Sequence, residues 1–101
     1  MEFLVEFEVN VPAGAPTGEV EDRETAEASA AARLAEEGHL VRLWKLPTAR
    51  GQTKAFGLYR AGNTSQLDSL LDALPLADWM DVTVTQLATH PNDPVGADGT
   101  A

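Results

Sequence analysis

The residue of this sequence best suited to chemistry is Glu27, a carboxylate set among small apolar side chains in the Ala-rich segment from Glu19 to Glu37. Counting 100° per residue from Val20 puts Glu27 at about −20°, Ala31 at about +20° and Leu34 at about −40°, so all three share one stripe of a helix. Glu21, Asp22, Glu36 and Glu37 project away from that stripe, and Glu24 stands near its edge. A carboxylate on a core-facing stripe loses water, and desolvation raises its pKa toward values useful for taking and returning a proton. Glu27 is therefore the general-base candidate. The plainer reading starts from the same composition: with Ala26, Ala28, Ala30, Ala31, Ala32 and Ala35 the buried face is loosely defined. A rotation of about 40° puts Glu27 at a partly wet margin, as an ordinary helix residue.

The remaining polar groups are weaker singly. His39 follows Gly38, where a solvated loop histidine is the ordinary reading, and His90 precedes Pro91, where a structural hydrogen bond is. Standing 51 positions apart without HxH or HxxxH spacing, the two histidines make a poor metal site. Arg42 and Trp44 share a strand face at i, i+2, so the guanidinium can stack by the ring, bind an anion, or form a salt bridge between subunits. Arg50-Gly51-Gln52 brings a cation, a flexible backbone and an amide together in a loop, either to grip a carboxylate or as an exposed turn. Gly14 and Gly18 lack the spacing of a nucleotide-binding loop, and no Ser sits in a nucleophile elbow.

The elements that must position these groups follow from periodicity. Residues 2–10 alternate, with Phe3, Val5, Phe7 and Val9 on one side, and read as a half-buried strand. Val11 to Gly18 breaks the pattern with turn formers, and residues 19–37 make a helix stopped by Gly38. Residues 40–46 form a strand with apolar residues on both faces, residues 53–59 another, and 80–87 a fourth in which Val82 and Val84 alternate with Thr83 and Thr85. Asn63 or Thr64 caps a second helix whose Leu67, Leu70, Leu71 and Leu74 keep helical spacing. The order β-α-β-β-α-β is the α+β, ferredoxin-like arrangement, with both helices on one face of a four-stranded antiparallel sheet. The other face then carries some of Leu40, Val41, Leu43, Trp44, Phe56 and Leu58, an apolar patch that a second copy of the chain would cover. Residues 1–93 form one domain and residues 94–101 a flexible acidic tail.

Composition excludes several functions. The chain has 101 residues, 7 Lys and Arg against 16 Asp and Glu, and a formal charge of −9, which disfavours nucleic acid as a partner. Cysteine is absent, so thiol chemistry and Cys-based metal centres are excluded. No apolar run approaches the ~18 residues of a membrane span, and the N-terminus does not read as a signal peptide, so the expected compartment is the cytoplasm. Against this acidic background, Arg42, Lys45, Arg50, Lys54 and Arg60 cluster in the middle of the chain.

Over residues 1 to about 93 the pattern resembles the muconolactone delta-isomerase family. The residues that carry the likeness are Val9-Asn10-Val11-Pro12, Gly38-His39-Leu40-Val41-Arg42-Leu43-Trp44, Leu74-Pro75-Leu76, Trp79-Met80-Asp81-Val82 and His90-Pro91. The resemblance implies a ferredoxin-like fold, subunits paired through their sheets and assembled into a larger ring, commonly a decamer, and an isomerase of the β-ketoadipate pathway that uses no cofactor. It implies a small anionic lactone as substrate. A base removes a proton from the ring carbon bearing the carboxymethyl arm and returns it to the carbon α to the lactone carbonyl.

The family's helix-one glutamate matches Glu27, which the resemblance makes the catalytic residue. Where characterised members carry a Tyr and an Asn, this chain has Arg50 and Gln52. Together with Arg42, Trp44 and His39, these are the expected substrate-binding residues, with Arg50 and Arg42 as anion partners. Two alternatives keep the scaffold and change the activity: a cofactor-free cyclase, monooxygenase or dehalogenase acting on an aromatic or polyketide-like substrate, and a non-catalytic binding protein.

Overall fold

The computed structural model describes residues 1–48 and 52–95. Along the chain run β1 (Glu2–Val9), α1 (Thr17–Glu36), β2 (Leu40–Leu46), β3 (Thr53–Arg60), α2 (Thr64–Asp72), a single 3-10 turn (Ala77–Trp79) and β4 (Met80–Leu87). The sheet order is β2-β3-β1-β4 and every adjacent pair is antiparallel. This is the α+β architecture that the order of elements predicts.

Strand β1 sits centrally because its alternation gives it one fully apolar face. Phe3, Val5 and Phe7 point to the helices and are buried, joined by Leu34 of α1, Tyr59 of β3, and Leu67, Leu71 and Leu74 of the α2 segment. Burying a side chain of this size contributes roughly 1.5–3 kcal/mol, so this cluster is the main cohesive term of the fold. The intervening Glu2, Glu6 and Glu8 take the opposite face, where Glu2 pairs with Arg60 at 3.0 Å and Glu8 with Lys54 at 3.6 Å.

Both helix boundaries have identifiable causes. Helix α1 begins at Thr17, two residues before the periodic segment, because Pro16 at its N-cap has no N–H to satisfy and a φ of −60° suited to entering a helix. At its far end Gly38 adopts φ +82°, donating to Ala35 O at 3.1 Å while His39 N donates to Leu34 O at 2.9 Å. This paired closure turns the chain directly into β2. Helix α2 is capped by Asn63, whose Oδ1 accepts from Gln66 N at 2.8 Å, and Gln66 Oε1 in turn accepts from Gly62 N at 2.6 Å.

Strand β2 carries a bulge between Leu40 and Arg42. Beyond it Leu43 lies opposite Gly57 and Lys45 opposite Ala55, on the helix side, while Arg42, Trp44 and Leu46 lie opposite Leu58, Phe56 and Lys54 on the uncovered side. Simple alternation does not anticipate this shift: the extra residue brings Leu40 and Leu43 to the same face. Of the apolar residues expected on the uncovered sheet face, Trp44, Phe56 and Leu58 are there, and Leu40 and Leu43 belong to the helix side.

Candidate active site

A cavity of about 300 Å³ lies between α1 and the helix side of the sheet. Its volume comes from small residues facing one another: Ala28 and Ala31 on α1 stand across from Ala55 on β3, and larger Phe7, Leu40, Leu43, Leu76 and Met80 close the sides. Val9, Thr53 and Met80 place it at the end of the sheet where β1 stops and β3 and β4 begin. Among its described lining residues only Glu24, Glu27, Thr53 and Tyr59 have polar side chains, so it is an apolar pocket with two carboxylates and no cation.

Glu27 is half-buried in this wall. Its Oε1 accepts a hydrogen bond from the backbone N–H of Leu76 at 3.0 Å. Burial holds its carboxyl above the ordinary carboxylate range, and the Leu76 hydrogen bond, which favours the charged form, pulls partly the other way. The result is an ionisable oxygen pair of which one oxygen is fixed by the main chain. The helical stripe places Glu27 on the cavity side of α1.

The segment that supplies Leu76 is itself clamped to α1. Arg23 Nη1 donates to Pro75 O at 3.2 Å, its guanidinium carbon lies 4.3 Å from the centre of the Trp79 ring, and Nη2 meets Glu19 Oε1 at 3.3 Å. Pro75 has no N–H of its own, so its carbonyl is the polar group available to Arg23 at that position. On the other side of the turn Asn10 N donates to Trp79 O at 2.7 Å and Asn10 Nδ2 to Asp81 Oδ2 at 3.1 Å. Sequence reading identified Leu74-Pro75-Leu76 and Trp79 without a role. In the structure this segment presents the Leu76 amide to Glu27.

Tyr59 is the second group that sequence reading passed over. It lines the cavity, is 3 % exposed, and meets the Phe7 ring at a centroid distance of 5.9 Å and 58°. Burial, and secondarily the Glu27 charge, push its pKa up to about 12. Its place depends on Gly57, at which a Cβ would stand 2.5 Å from Tyr59 Cε1. The alternation Ala55, Gly57, Tyr59 was the available signal, small residues beside one large amphipathic ring on the same strand face.

The other expected site residues are not gathered here. Arg42 and Trp44 stack on each other at 5.2 Å, but register puts them on the uncovered sheet face, across the sheet from the cavity of their own chain. His39 is held at the opposite end of β3 by a 2.8 Å contact between Nδ1 and Arg60 O and is not part of the cavity wall. Gln52 is exposed, its carbonyl accepting from Thr48 Oγ1 at 2.7 Å, one residue from Thr53 in the cavity wall. Arg50 lies outside the described residues. Of the remaining central cations, Lys54 and Arg60 are engaged by Glu8 and Glu2. Among the described residues no helix is long and apolar enough to cross a membrane.

Comparison with known proteins agrees with the geometry. The family model of muconolactone delta-isomerase matches residues 1–93. The muconolactone delta-isomerase of Cupriavidus pinatubonensis is 32 % identical over 92 residues, covering 91 % of this chain and 97 % of that protein. That of Acinetobacter baylyi is 25 % identical over 92 residues, covering 91 % and 93 %. A crystal structure of muconolactone isomerase superposes with a TM-score of 0.80 at 26 % identity, over 93 % of this chain and 95 % of the other. The 5-chloro-2-hydroxyhydroquinone dehydrochlorinase of Burkholderia phenoliruptrix, at TM-score 0.67 and 15 % identity, covers 89 % and 96 % and shares the fold alone.

Proposed function

The chain belongs to the muconolactone delta-isomerase family, and we propose that it moves one proton within an unsaturated carboxymethyl lactone, converting muconolactone into 3-oxoadipate enol-lactone. The reading describes a cytoplasmic, cofactor-free isomerase of aromatic-compound degradation. The observation that carries it is Glu27, a half-buried carboxylate on the wall of an apolar cavity with one oxygen fixed by the Leu76 amide.

In this reading the ionised Glu27 takes the proton from the ring carbon that bears the carboxymethyl arm. The C–H electron pair moves into the ring, the carbon–carbon double bond shifts, and the lactone carbonyl pair moves onto oxygen to give a dienolate. Glu27, now a carboxylic acid, returns the proton to the carbon α to the carbonyl, and the carbonyl re-forms. One side chain serves both transfers if the lactone lies with a single face toward it. A raised pKa suits this double duty, because the same group must be a competent base and then a competent acid near neutral pH. The apolar walls exclude water that would otherwise quench the dienolate.

The substrate is an anion, and its carboxylate needs a positive partner. Our reading assigns that role to Arg50, and gives Gln52, one residue from Thr53 of the cavity wall, the part of a hydrogen-bond donor. Arg42 and Trp44 are assigned instead to subunit contact: with Leu46, Phe56 and Leu58 they form the uncovered sheet face, where Trp44 is 40 % exposed. Pairing of two chains through this face buries the stacked pair, and larger assemblies up to a decamer build on such dimers. Light scattering on size exclusion tests it, with Trp44→Glu expected to shift the mass toward the monomer.

The direct test of the activity is spectrophotometric turnover of muconolactone by the purified protein. Rapid isomerisation supports the reading. No conversion at high enzyme concentration contradicts it.

A further inference from the structure

We propose that the Tyr59 hydroxyl is the hydrogen-bond donor to the lactone carbonyl oxygen as it becomes the dienolate oxygen, a role that rests on the isomerase reading above and extends it. Isomerisation through a dienolate places negative charge on one oxygen, and a donor already aimed at that position is the largest stabilising factor such a site can offer. The polar inventory of the cavity is short. Glu24 and Glu27 are carboxylates and accept hydrogen bonds when ionised, and Thr53 is exposed at the rim. The Leu76 N–H is already given to Glu27, and Arg23 to Pro75, Trp79 and Glu19. Among the described residues of the wall the neutral side-chain donors are Thr53 and Tyr59, and Tyr59 is the buried one.

Its geometry suits that task. Among the described residues no hydrogen bond holds the Tyr59 hydroxyl, and no buried side-chain oxygen is left without a partner, so the phenol oxygen keeps accessible surface in a residue that lines the cavity. The ring is immobilised by Phe7 on one side and by the bare backbone of Gly57 beneath it, where a Cβ would collide at 2.5 Å. A ring so fixed has little rotamer entropy left to lose when it binds an oxyanion. Its high pKa keeps the phenol protonated throughout the working range, so it donates a hydrogen bond while the transferred proton stays with Glu27.

The test pairs turnover with binding of tetronate, the stable enolate of a five-membered β-keto lactone. Tyr59→Phe removes only the hydroxyl and keeps the ring over Gly57. The expected result is a kcat for muconolactone lower by about 10²-fold with KM within a few-fold, and tetronate binding weakened at least ~10-fold. Glu27→Gln, in contrast, lowers turnover by roughly 10³–10⁴-fold and binds tetronate at least as tightly as the wild type, because one negative charge facing the enolate is gone. If the wild type binds tetronate no more tightly than Tyr59→Phe, or the variant's kcat is unchanged, the proposal is overturned and the isomerase reading survives. If Tyr59→Phe weakens tetronate but the wild type does not turn over muconolactone, Tyr59 stands as an enolate donor and the assigned substrate falls.

Discussion

The backbone N–H of Leu76 donates to Glu27 Oε1 across 3.0 Å, joining a helix to a turn 49 residues further along the chain. That one bond holds one oxygen of the carboxylate on the cavity wall. It also opposes part of the desolvation that burial imposes, so Glu27 is held raised but still able to ionise. Clamping of the donor segment by Arg23 and Asn10 makes the arrangement a property of the fold rather than of one rotamer.

The raised Glu27 pKa has a pH signature in both activity and stability. Glu24 and Tyr59 face Glu27 from the same cavity, and Arg23 lies one turn back on α1. In the proposed reaction Glu27 must be ionised to take the proton, so kcat/KM is expected to rise with pH through the raised value, above the ordinary 4.5. The native state holds this proton at pH values where the unfolded chain has lost it. Its contribution to stability is therefore complete below about pH 4.5 and is lost as pH rises through the native pKa. Glu27→Gln is expected to be more stable than the wild type at pH 7–8, with the gain closing below the ordinary carboxylate value. Urea midpoints across pH check this, and a constant difference contradicts it.

Arg23→Ala removes the cation over Trp79 and the donor to Pro75 O. The expected loss is about 1 kcal/mol, or roughly 4–8 °C in Tm for a chain of this size. Activity falls as well, because the Leu76 amide loses its support. Arg23→Lys keeps the charge but not the planar fork and lies between the two. A thermal melt of Arg23→Ala that overlays the wild type contradicts the clamp.

Asn63→Ala deletes the acceptor for Gln66 N at the start of α2. The cost is about 1 kcal/mol, read as a lower Tm with turnover per folded molecule unchanged, since α2 contributes Leu67 and Leu71 to the core and nothing to the cavity wall. Asn63→Asp keeps the acceptor and the stability.

Much of this arrangement is legible in the residues themselves. The alternation of Phe3, Val5 and Phe7 marks a half-buried strand, Asn63 and Gly38 mark helix ends, and the angular position of Glu27 sets it on the apolar stripe of its helix. What escaped has a physical reason in each case. The β2 bulge moved Leu43 to the helix side while Arg42 and Trp44 took the other, and one extra residue in a strand leaves no periodic mark. The Leu76 amide is a backbone group, invisible to any reading of side-chain types. Tyr59 was hidden because its neighbours Gly57 and Ala55 are small, and a cavity is made by what side chains leave empty.

In the proposed mechanism a single carboxylate, Glu27, carries the proton in both steps. Turnover of muconolactone by Glu27→Gln, with mass by light scattering as the control for assembly, tests it most directly. The expected result is a kcat reduced by roughly 10³–10⁴-fold in a protein of unchanged mass. A glutamine variant that retains activity within about tenfold of the wild type contradicts it.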